Sequence, residues 1–263
     1  MFTFSKYLLA SSLEEAYEIL IKNRNNAILG GTAYIKMGNR HLATAIDLSA
    51  LELSFIRENE GNIEIGAMTT FRDIETSDIL KKKFGGIVSR SVEDIVGVQL
   101  RSVVTAGATV FSKYGFSDFI PALLALNTSV VLFNAGEMPL EEFLESDIKQ
   151  DILVKILIKN SSGKGSFQTI RKSKSDYAIL NVVAADTDEG LRIAVGARPG
   201  RAVLAVKAME KIKTEGLTKE NIKAVSETAS EELTFGDNMR ATGKYRKAIC
   251  TVMLKRALTE VMG

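Results

Sequence analysis

The order of hydrophobic and polar positions changes character along the chain, and the change falls near residue 163. Before it, short strand-like and helix-like runs are mixed without regular alternation. Such mixing predicts an α+β fold rather than a doubly wound sheet. After it, FQTIRK and LNVVAADTDEGLRIAVGA predict three antiparallel strands, the last two joined by the turn DTDEG. From Arg201 onward the pattern is helical. We therefore expect two domains, residues 1–162 and 163–263.

Local signals place several helices. SSLEEAYEILIKN predicts a helix with a capping box between Ser12 and Glu15. TTFRDIETSDIL predicts a second helix, capped by Thr69 or Thr70, and GGIVSRSVEDIV predicts a third. The second domain should contain three more helices, in RAVLAVKAMEKIK, TKENIKAVSETASEEL and YRKAICTVMLKRALTEVM.

Strands and one further helix complete the pattern. TAIDLSALELSFIRENEGNIEIGAM predicts three short strands, with ENEGN as the turn between the last two. TSVVLF and DILVKILI predict two more strands, with NAGEMP as a turn after the first. Pro121 fits only in the first turn of the helix in SDFIPALLAL, so that helix should begin near Ser117 or Asp118.

Two stretches of small residues are candidates for anion binding. In AILGGTAYI a strand-like run meets Gly30, Gly31 and Thr32, and TAGAT occupies residues 105–109. Glycines of this kind form tight turns because they reach positive φ without steric cost. They also leave backbone N–H groups open to a phosphate. Two such stretches could wrap one pyrophosphate, and from the residues alone both interpretations stay open.

Composition narrows the chemistry. The 263 residues are 46% hydrophobic and 25% charged, with a net charge of +2, which favours a globular protein and argues against nucleic acid as the main partner. Cys250 is the single cysteine and His41 the single histidine. The chain therefore has no internal disulfide and cannot hold an iron–sulfur cluster by its own thiolates, and His-rich metal sites are excluded. Redox chemistry would need an organic cofactor.

No motif of the Rossmann or NTPase phosphate-binding type occurs. We expect His41 to be exposed and Cys250 to lie in the core. No run of apolar residues is long enough to span a membrane, and no signal peptide is recognisable, so the expected compartment is the cytoplasm.

Four motifs occur in order: AILGGTAYI, IEIGAMTTFRDIE, VQLRSVVTAGATVFSKYGFSDFIPALLAL and GKYRKAICTVMLKRAL. With them nearly the whole chain resembles the FAD-binding medium subunit of the molybdenum hydroxylases, the xanthine dehydrogenase and carbon monoxide dehydrogenase family. The resemblance implies an FAD-binding domain of two α+β subdomains, of the vanillyl-alcohol oxidase and p-cresol methylhydroxylase type. It also implies a C-terminal three-stranded antiparallel sheet with helices.

The resemblance also implies which residues bind FAD, non-covalently. Those expected at the pyrophosphate and ribityl chain are Ala27, Ile28, Leu29, Gly30, Gly31, Thr32, Ala33, Tyr34, Thr105, Ala106, Gly107, Ala108 and Thr109. Asp118 is expected at the adenosine end, with helix capping as its alternative. Ile95 and Leu153 fall near the isoalloxazine, with plain core packing as an equal alternative. Tyr177 falls where some relatives place an aromatic ring beside the flavin.

Three positions depart from the family pattern. Ala108 replaces a glycine, Thr109 replaces an asparagine, and Ser102 replaces the asparagine after Arg101. Because alanine disfavours positive φ, either the loop uses negative φ at Ala108 or the flavin is held less tightly.

By this resemblance the chain is an oxidoreductase subunit that passes electrons from iron–sulfur clusters to an acceptor such as NAD⁺. Its partners would be an iron–sulfur small subunit and a molybdenum-cofactor large subunit in a heterotrimer, with no catalytic acid or base and no metal on this chain. The alternative is a scaffold subunit that has lost its flavin. Gly31→Asp is expected to abolish flavin binding while leaving the fold intact.

Overall fold

Three β-sheets organise the chain, and the computed structural model describes them over residues 2–263. The strands are β1 (Thr3–Leu9), β2 (Ala27–Leu29), β3 (His41–Asp47), β4 (Ile56–Asn59), β5 (Asn62–Gly66), β6 (Thr128–Leu132), β7 (Gly136–Pro139), β8 (Leu153–Lys159), β9 (Gly165–Ile170), β10 (Leu180–Thr187), β11 (Gly190–Gly196) and β12 (Val203–Leu204).

Helices cover and connect these sheets. They are α1 (Leu13–Lys22), α2 (Phe71–Thr76), α3 (Asp78–Lys82), α4 (Ile87–Glu93), α5 (Val98–Arg101), α6 (Ala106–Ser112), α7 (Phe119–Leu124), α8 (Leu140–Glu145), α9 (Val206–Glu215), α10 (Ile222–Glu232) and α11 (Gly243–Met262). Short 3₁₀ helices span Ile35–Met37 and Phe84–Gly86.

The N-terminal half contains two sheets of different kinds. The first is parallel, in the order β1-β3-β2, and α1 packs its buried face, including Ala16 and Leu20, against it. The second is antiparallel, in the order β4-β5-β8-β6-β7. Together they form the two subdomains that were predicted.

The C-terminal sheet has the order β12-β11-β10-β9 and is antiparallel throughout. The three long strands β9, β10 and β11 confirm the predicted antiparallel sheet. The sheet also contains the short strand β12, so it has four strands rather than the predicted three. Val203 and Leu204 had been assigned to a helix because RAVLAVKAMEKIK is apolar at helical spacing. They pair instead with Val195 and Ala194 of β11, and α9 begins only at Val206.

Strand β10 lies between two hydrophobic cores, which explains its continuous apolar sequence. Val183 and Ala185 face the core built mainly from residues before 163. Val182 and Ala184, on the other face, pack in the core that α9, α10 and α11 cover. Because alternate side chains of a strand point to opposite faces, the run is buried on both sides. One strand thus joins the C-terminal sheet to the N-terminal half.

Several predicted helix starts are confirmed, with changed details. Ser12 caps α1, but the carboxylate of Glu15 accepts hydrogen bonds from Ser11 rather than completing the predicted capping box. Thr70, not Thr69, caps α2 in a full capping box with Asp73. The segment predicted as one helix there is two, α2 and α3, because the chain turns extended at Ser77.

The predicted turn NAGEMP is mostly wrong. Its last four residues form the edge strand β7, which pairs with β6 after a turn that Asn134 and Ala135 occupy. Pro139 is tolerated because it ends an edge strand, where its missing N–H costs no ladder bond. The turn ENEGN is confirmed between β4 and β5, with Glu60 and Gly61 in the left-handed region.

Candidate functional site

A cleft of about 570 Å³ lies among the first parallel sheet, α6 and the segment that follows β9. This volume falls in the range of small-molecule and cofactor sites, roughly 300–1,000 Å³. Of the residues predicted to bind the cofactor, all line the cleft except Leu29, Gly31 and Ala106. Folding therefore brings together residues that lie up to 150 positions apart in the chain.

The turn after β2 has the backbone of an anion site. Gly31 has φ of 74° and Thr32 has φ of 59°, so two successive residues adopt the left-handed region. Within residues 2–263, no protein acceptor takes a hydrogen bond from the backbone N–H groups of residues 30–34. Successive N–H groups in such a turn form a concave site for an anion. The tight turn and the open N–H groups occur in the same segment.

The second small-residue stretch is built differently, and the expectation of a second open nest is wrong. Thr105 caps α6, its hydroxyl accepting from the N–H of Ala108. The N–H groups of Ala106 and Gly107 donate to the carbonyls of Thr69 and Ala67, respectively. The N–H of Thr109 donates to the carbonyl of Thr105, the residue that caps α6. Gly107 is required because a Cβ there would overlap Ala67, and the N–H groups of this stretch are occupied rather than open to the cleft.

The two stretches touch each other at Gly30 and Ala108. A Cβ built on Gly30 would overlap the Cβ of Ala108, so only glycine fits at position 30. Ala108 lies inside α6, without a positive φ. Alanine at this position left two possibilities, a negative φ at residue 108 or a flavin that is held less tightly. The structure shows the first, because Ala108 has a negative φ.

Asp118 lies at the start of α7 but does not cap it. The hydroxyl of Ser117 makes the capping bond, accepting from the N–H of Ile120 at 3.2 Å. The carboxylate of Asp118 is 5% exposed and accepts hydrogen bonds from Arg171 and Asn181, both at 2.8 Å. Burial raises the pKa of Asp118, and the nearby guanidinium of Arg171 opposes that rise.

Four aromatic rings cluster beside the open turn. Tyr34 lies 5.3 Å from Tyr114 and 5.4 Å from Phe116, measured between ring centroids. Tyr177 meets Phe116 edge-on at 4.9 Å, and its hydroxyl lies 3.1 Å from that of Tyr34. Burial and the hydrogen bond to Tyr177 raise the pKa of Tyr34, so its hydroxyl stays protonated. All four rings line the cleft, which gives it a surface suited to a planar group.

Ile95 and Val96 form another part of the wall. Arg101 holds this turn, donating from Nη1 to the carbonyl of Ile95 at 3.1 Å and from two nitrogens to Glu75 at 2.8 and 3.0 Å. Val96 has φ of 51°, a strained conformation for a β-branched residue. Ile95 and Leu153 both pack on the core and line the cleft, so their two interpretations are compatible.

Sequence reasoning missed several residues of the cleft. Tyr114 and Phe116 were signalled only by the aromatic pair in KYGF, inside the third of the recognised motifs, and were not assigned to the site. Arg171, which lines the cleft, and Arg240, which contacts Asp176 and Tyr177 without lining the cleft itself, carried no local signal, because tertiary contacts position both. Nε of Arg171 is buried and has no hydrogen-bond partner within residues 2–263, which leaves a donor available for a bound molecule.

The remaining candidates have structural roles. His41 is exposed, as predicted, and its ring nitrogens lie 2.9 Å from the hydroxyls of Thr3 and Ser5. Cys250 is buried in α11, as predicted, and burial raises its pKa to about 12. Among residues 2–263 no helix is long and apolar enough to cross a membrane, and no cluster of His, Cys, Asp or Glu could hold a metal ion.

The open turn and the aromatic cluster define the class of protein: an α+β protein whose cleft suits a cofactor with both phosphate and a planar ring. Comparisons with known proteins identify the family. Residues 2–160 match the profile of the FAD binding domain in molybdopterin dehydrogenase, and residues 165–261 match that of the CO dehydrogenase flavoprotein C-terminal domain. The chain belongs to the FAD-binding medium subunits of the molybdenum hydroxylases.

Individual relatives agree with this assignment. The chain is 24% identical over 274 residues to the glyceraldehyde dehydrogenase medium chain of Sulfolobus acidocaldarius, covering 97% of both proteins. The fold is similar to a chain of carbon monoxide dehydrogenase from Hydrogenophaga pseudoflava, with TM-score 0.87, 21% identity and coverage of 98% and 96%. It is also similar to quinoline 2-oxidoreductase from Pseudomonas putida 86, with TM-score 0.86, 19% identity and coverage of 99% and 96%.

The protein is thus an FAD-binding oxidoreductase subunit of the xanthine and carbon monoxide dehydrogenase type, in which the substrate is oxidised on another subunit. The fold of two FAD subdomains followed by an antiparallel C-terminal sheet is that of this family.

Proposed function

We propose that this chain carries FAD and passes electrons from iron–sulfur clusters of a partner subunit to an acceptor such as NAD⁺. The observation that carries the proposal is the single cleft in which the open N–H groups of residues 30–34 and the aromatic cluster of Tyr34, Tyr114, Phe116 and Tyr177 meet. When bound, FAD supplies the redox chemistry, since it exchanges electrons singly or in pairs. The chain contributes binding, orientation and electrostatics.

The residues of the cleft fit this cofactor. Residues 30–34 would bind the pyrophosphate through N–H groups that have no other partner. Side chains of Thr105 and Thr109 reach the cleft from α6, while Ala27, Ile28 and Ala33 add apolar wall. Leu29 and Ala106 would act indirectly, by shaping the backbone behind these contacts, and Gly31 would contribute only its backbone N–H.

The candidates for the two ends of FAD come close together at one point, because Arg171 donates both to the carboxylate of Asp118 at 2.8 Å and to the carbonyl of Asp176, the residue before Tyr177, at 3.0 Å. Asp118 remains our candidate for the adenosine end, with its carboxylate already held by Arg171. Ile95, Leu153 and Tyr177 remain candidates for the isoalloxazine. The unpartnered Nε of Arg171 adds a donor that the sequence did not suggest. A non-covalent site is consistent with His41 and Cys250 lying elsewhere.

The partner subunits follow from the same proposal. With Cys250 as its single cysteine, the chain needs another subunit to hold iron–sulfur clusters, and a third subunit to hold the molybdenum cofactor. Relatives named for glyceraldehyde, carbon monoxide and quinoline oxidation share the fold, so the fold leaves the substrate open. We also propose that the chain divides into two domains near residue 163 and that it is located in the cytoplasm. The family-profile matches at 2–160 and 165–261 support the two-domain division.

The second candidate is a scaffold subunit without flavin. Its support in the sequence was Ala108 and Thr109. The structure weakens that support, because Ala108 adopts a helical backbone that alanine favours and the hydroxyl of Thr109 donates to the carbonyl of Thr105 without leaving the cleft wall.

The test is to purify the chain, release any bound cofactor with acid and compare it chromatographically with FAD and FMN. We expect stoichiometric FAD, because a pyrophosphate uses the anion site and the rest of the cleft has room for adenosine. A colourless protein that takes up no FAD on titration would favour the scaffold. Finding FMN would show that the adenosine end does not exist.

A second test purifies the native complex. It should contain a cysteine-rich chain with iron, and a complex without iron would contradict the electron-transfer role.

A further inference from the structure

Arg240 joins the C-terminal domain to the wall of the cleft. It lies in the segment between α10 and α11, three residues before the motif GKYRKAICTVMLKRAL. Its Nε and Nη2 donate to one carboxylate oxygen of Asp176 at 3.0 and 2.8 Å. Its guanidinium carbon lies 4.9 Å from the ring centroid of Tyr177. Asp176 also accepts from the N–H of Tyr177 at 2.8 Å, so one arginine holds both the ring and the residue before it.

The segment that carries Arg240 is itself firmly held. Arg246 on α11 is fully buried, and its guanidinium donates to the carbonyls of Gly236 and Ala241, both at 2.6 Å. It also donates to the side chain of Asn238 at 2.7 Å. The same amide oxygen accepts from the N–H of Arg240 at 2.9 Å. Because a buried arginine ties this segment at three points, Arg240 is presented from a rigid support rather than from a free loop.

Tyr177 also meets the first half of the chain. Its hydroxyl lies 3.1 Å from that of Tyr34, the last residue of the open turn, and its edge packs on Phe116. The ring thus has three partners, Arg240 from the C-terminal domain and Tyr34 and Phe116 from the first half of the chain. Tyr177 is 39% exposed, so burial alone would not immobilise it.

We propose that Arg240 is a positioning residue for the flavin site: through Asp176 and Tyr177 it sets the aromatic wall of the cleft before FAD enters. The proposal rests on the proposed function, since it assumes that FAD occupies this cleft. Its physical basis is preorganisation, because a side chain that is already immobilised adds no ordering cost on binding. Arg240 places its charge over the ring and its two donors on the carboxylate, which lysine can do only in part.

The experiment uses the whole 263-residue chain. Two quantities are measured, the FAD dissociation constant and the fluorescence of the bound flavin. The proteins are wild type, the single variants Arg240→Gln, Arg240→Lys and Tyr177→Ala, and the double variant that combines Arg240→Gln with Tyr177→Ala. Arg57→Gln is the matched control, because Arg57 also pairs with a carboxylate, at 2.8 Å, and lies 4.5 Å from a ring centroid, but that ring, Phe55, does not line the cleft, whereas Tyr177 does.

We expect Arg240→Gln to weaken FAD binding about three- to tenfold, the effect of one cation–π contact and one ion pair. It should also raise the fluorescence of the bound flavin, because a loosened tyrosine quenches it less. Arg240→Lys should restore part of both signals, and the control should change neither. If Arg240 acts through Tyr177, the double variant should bind FAD no more weakly than Tyr177→Ala alone.

Three outcomes would overturn the inference, and the first two are distinguishable from the third, in which the proposed function fails as well. In the first, wild type binds FAD, but the effects of Arg240→Gln and Tyr177→Ala on the dissociation constant multiply in the double variant. Arg240 then acts independently of the ring, so the inference fails while the proposed function stands. The same holds if Arg240→Gln leaves affinity and fluorescence unchanged. If wild type itself binds no FAD, the proposed function fails and this inference fails with it.

Discussion

Gly31 packs so closely on Val103 that a Cβ built on Gly31 would overlap the carbonyl oxygen of Val103. This contact joins the open turn to the segment before α6, and at φ of 74° only glycine avoids strain. The expectation that Gly31→Asp would leave the fold intact is therefore wrong. Any side chain at this position would push the two segments apart, so the substitution cannot isolate the effect of charge.

Thr32 offers the cleaner test of an anion site. It is the neighbouring residue of the turn and lines the cleft, and its φ of 59° suits Asp and Asn better than Thr. We expect Thr32→Asp to weaken FAD binding about tenfold or more, because a carboxylate would face the pyrophosphate. The asparagine side chain has nearly the same shape as aspartate but no charge, so Thr32→Asn should bind FAD as tightly as wild type does.

The two variants are compared by titrating FAD into the apo-protein. Equal affinities for Asp and Asn at position 32 would show that no phosphate lies beside this turn. Raising the salt concentration should narrow the difference between them, since exposed charges are screened.

Asp118 and Ser117 have separable roles. Asp118→Ala should lower the free energy of unfolding of the apo-protein by about 3–5 kcal/mol, because it leaves the buried guanidinium of Arg171 without its partner. Ser117→Ala removes the helix cap and should cost about 1 kcal/mol. Urea unfolding of both apo-variants measures these losses.

FAD affinity then shows whether Asp118 also contacts the cofactor. If it does, Asp118→Ala should weaken binding by a further 1–3 kcal/mol or so, while Ser117→Ala should not. Unchanged affinity alongside reduced apo-stability would limit Asp118 to its ion pair with Arg171.

Arg101 and Arg72 form a matched pair around Glu75. Both guanidiniums contact the same carboxylate, but Arg101 is buried and also donates to the carbonyl of Ile95, while Arg72 is exposed at the surface. Arg101→Lys should cost about 1–3 kcal/mol of stability, because lysine cannot make all three bonds. Arg72→Lys should cost at most about 0.5 kcal/mol.

Thermal unfolding of the two lysine variants tests this difference. Since Arg101 supports the turn of Ile95 and Val96 at the cleft, its variant should also bind FAD more weakly. Similar melting temperatures for the two would contradict the role assigned to Arg101.

Glu64 should contribute to stability in a defined pH window. Burial would raise the pKa of Glu64, but hydrogen bonds from Lys155, Arg57 and Asn59 outweigh burial and lower it to about 2. A carboxyl of lowered pKa stabilises the folded state above its unfolded pKa, about 4.3, and loses that contribution as the pH falls toward 2. The free energy of unfolding of wild type should therefore decrease over this window.

Urea unfolding at several pH values between about 5 and 2 gives the test. Glu64→Gln should show a smaller decrease than wild type, because glutamine does not titrate, whereas the exposed Glu220→Gln should follow wild type. Parallel pH profiles for wild type and Glu64→Gln would show that the pKa of Glu64 is not lowered by folding.

Short-range signals in the sequence determined much of the fold. The turn between β4 and β5, the helix starts at Ser12 and Thr70, and the burial of Cys250 each depend on residues within a few positions. The α+β class and the family followed from patterns and motifs of the same local kind. These predictions succeeded because hydrophobic period, capping and turn geometry act over one or two turns of chain.

Tertiary structure decided what depends on distant partners. Strand β12 exists because β11 offers it an edge, and the N–H groups of Ala106 and Gly107 are occupied because Thr69 and Ala67 lie beside them. Arg171 reaches the cleft, and Arg240 reaches Asp176 in the cleft wall, only through packing of the C-terminal domain. A local pattern shows which backbone could bind an anion, but whether its N–H groups stay open is settled by every segment that packs against it.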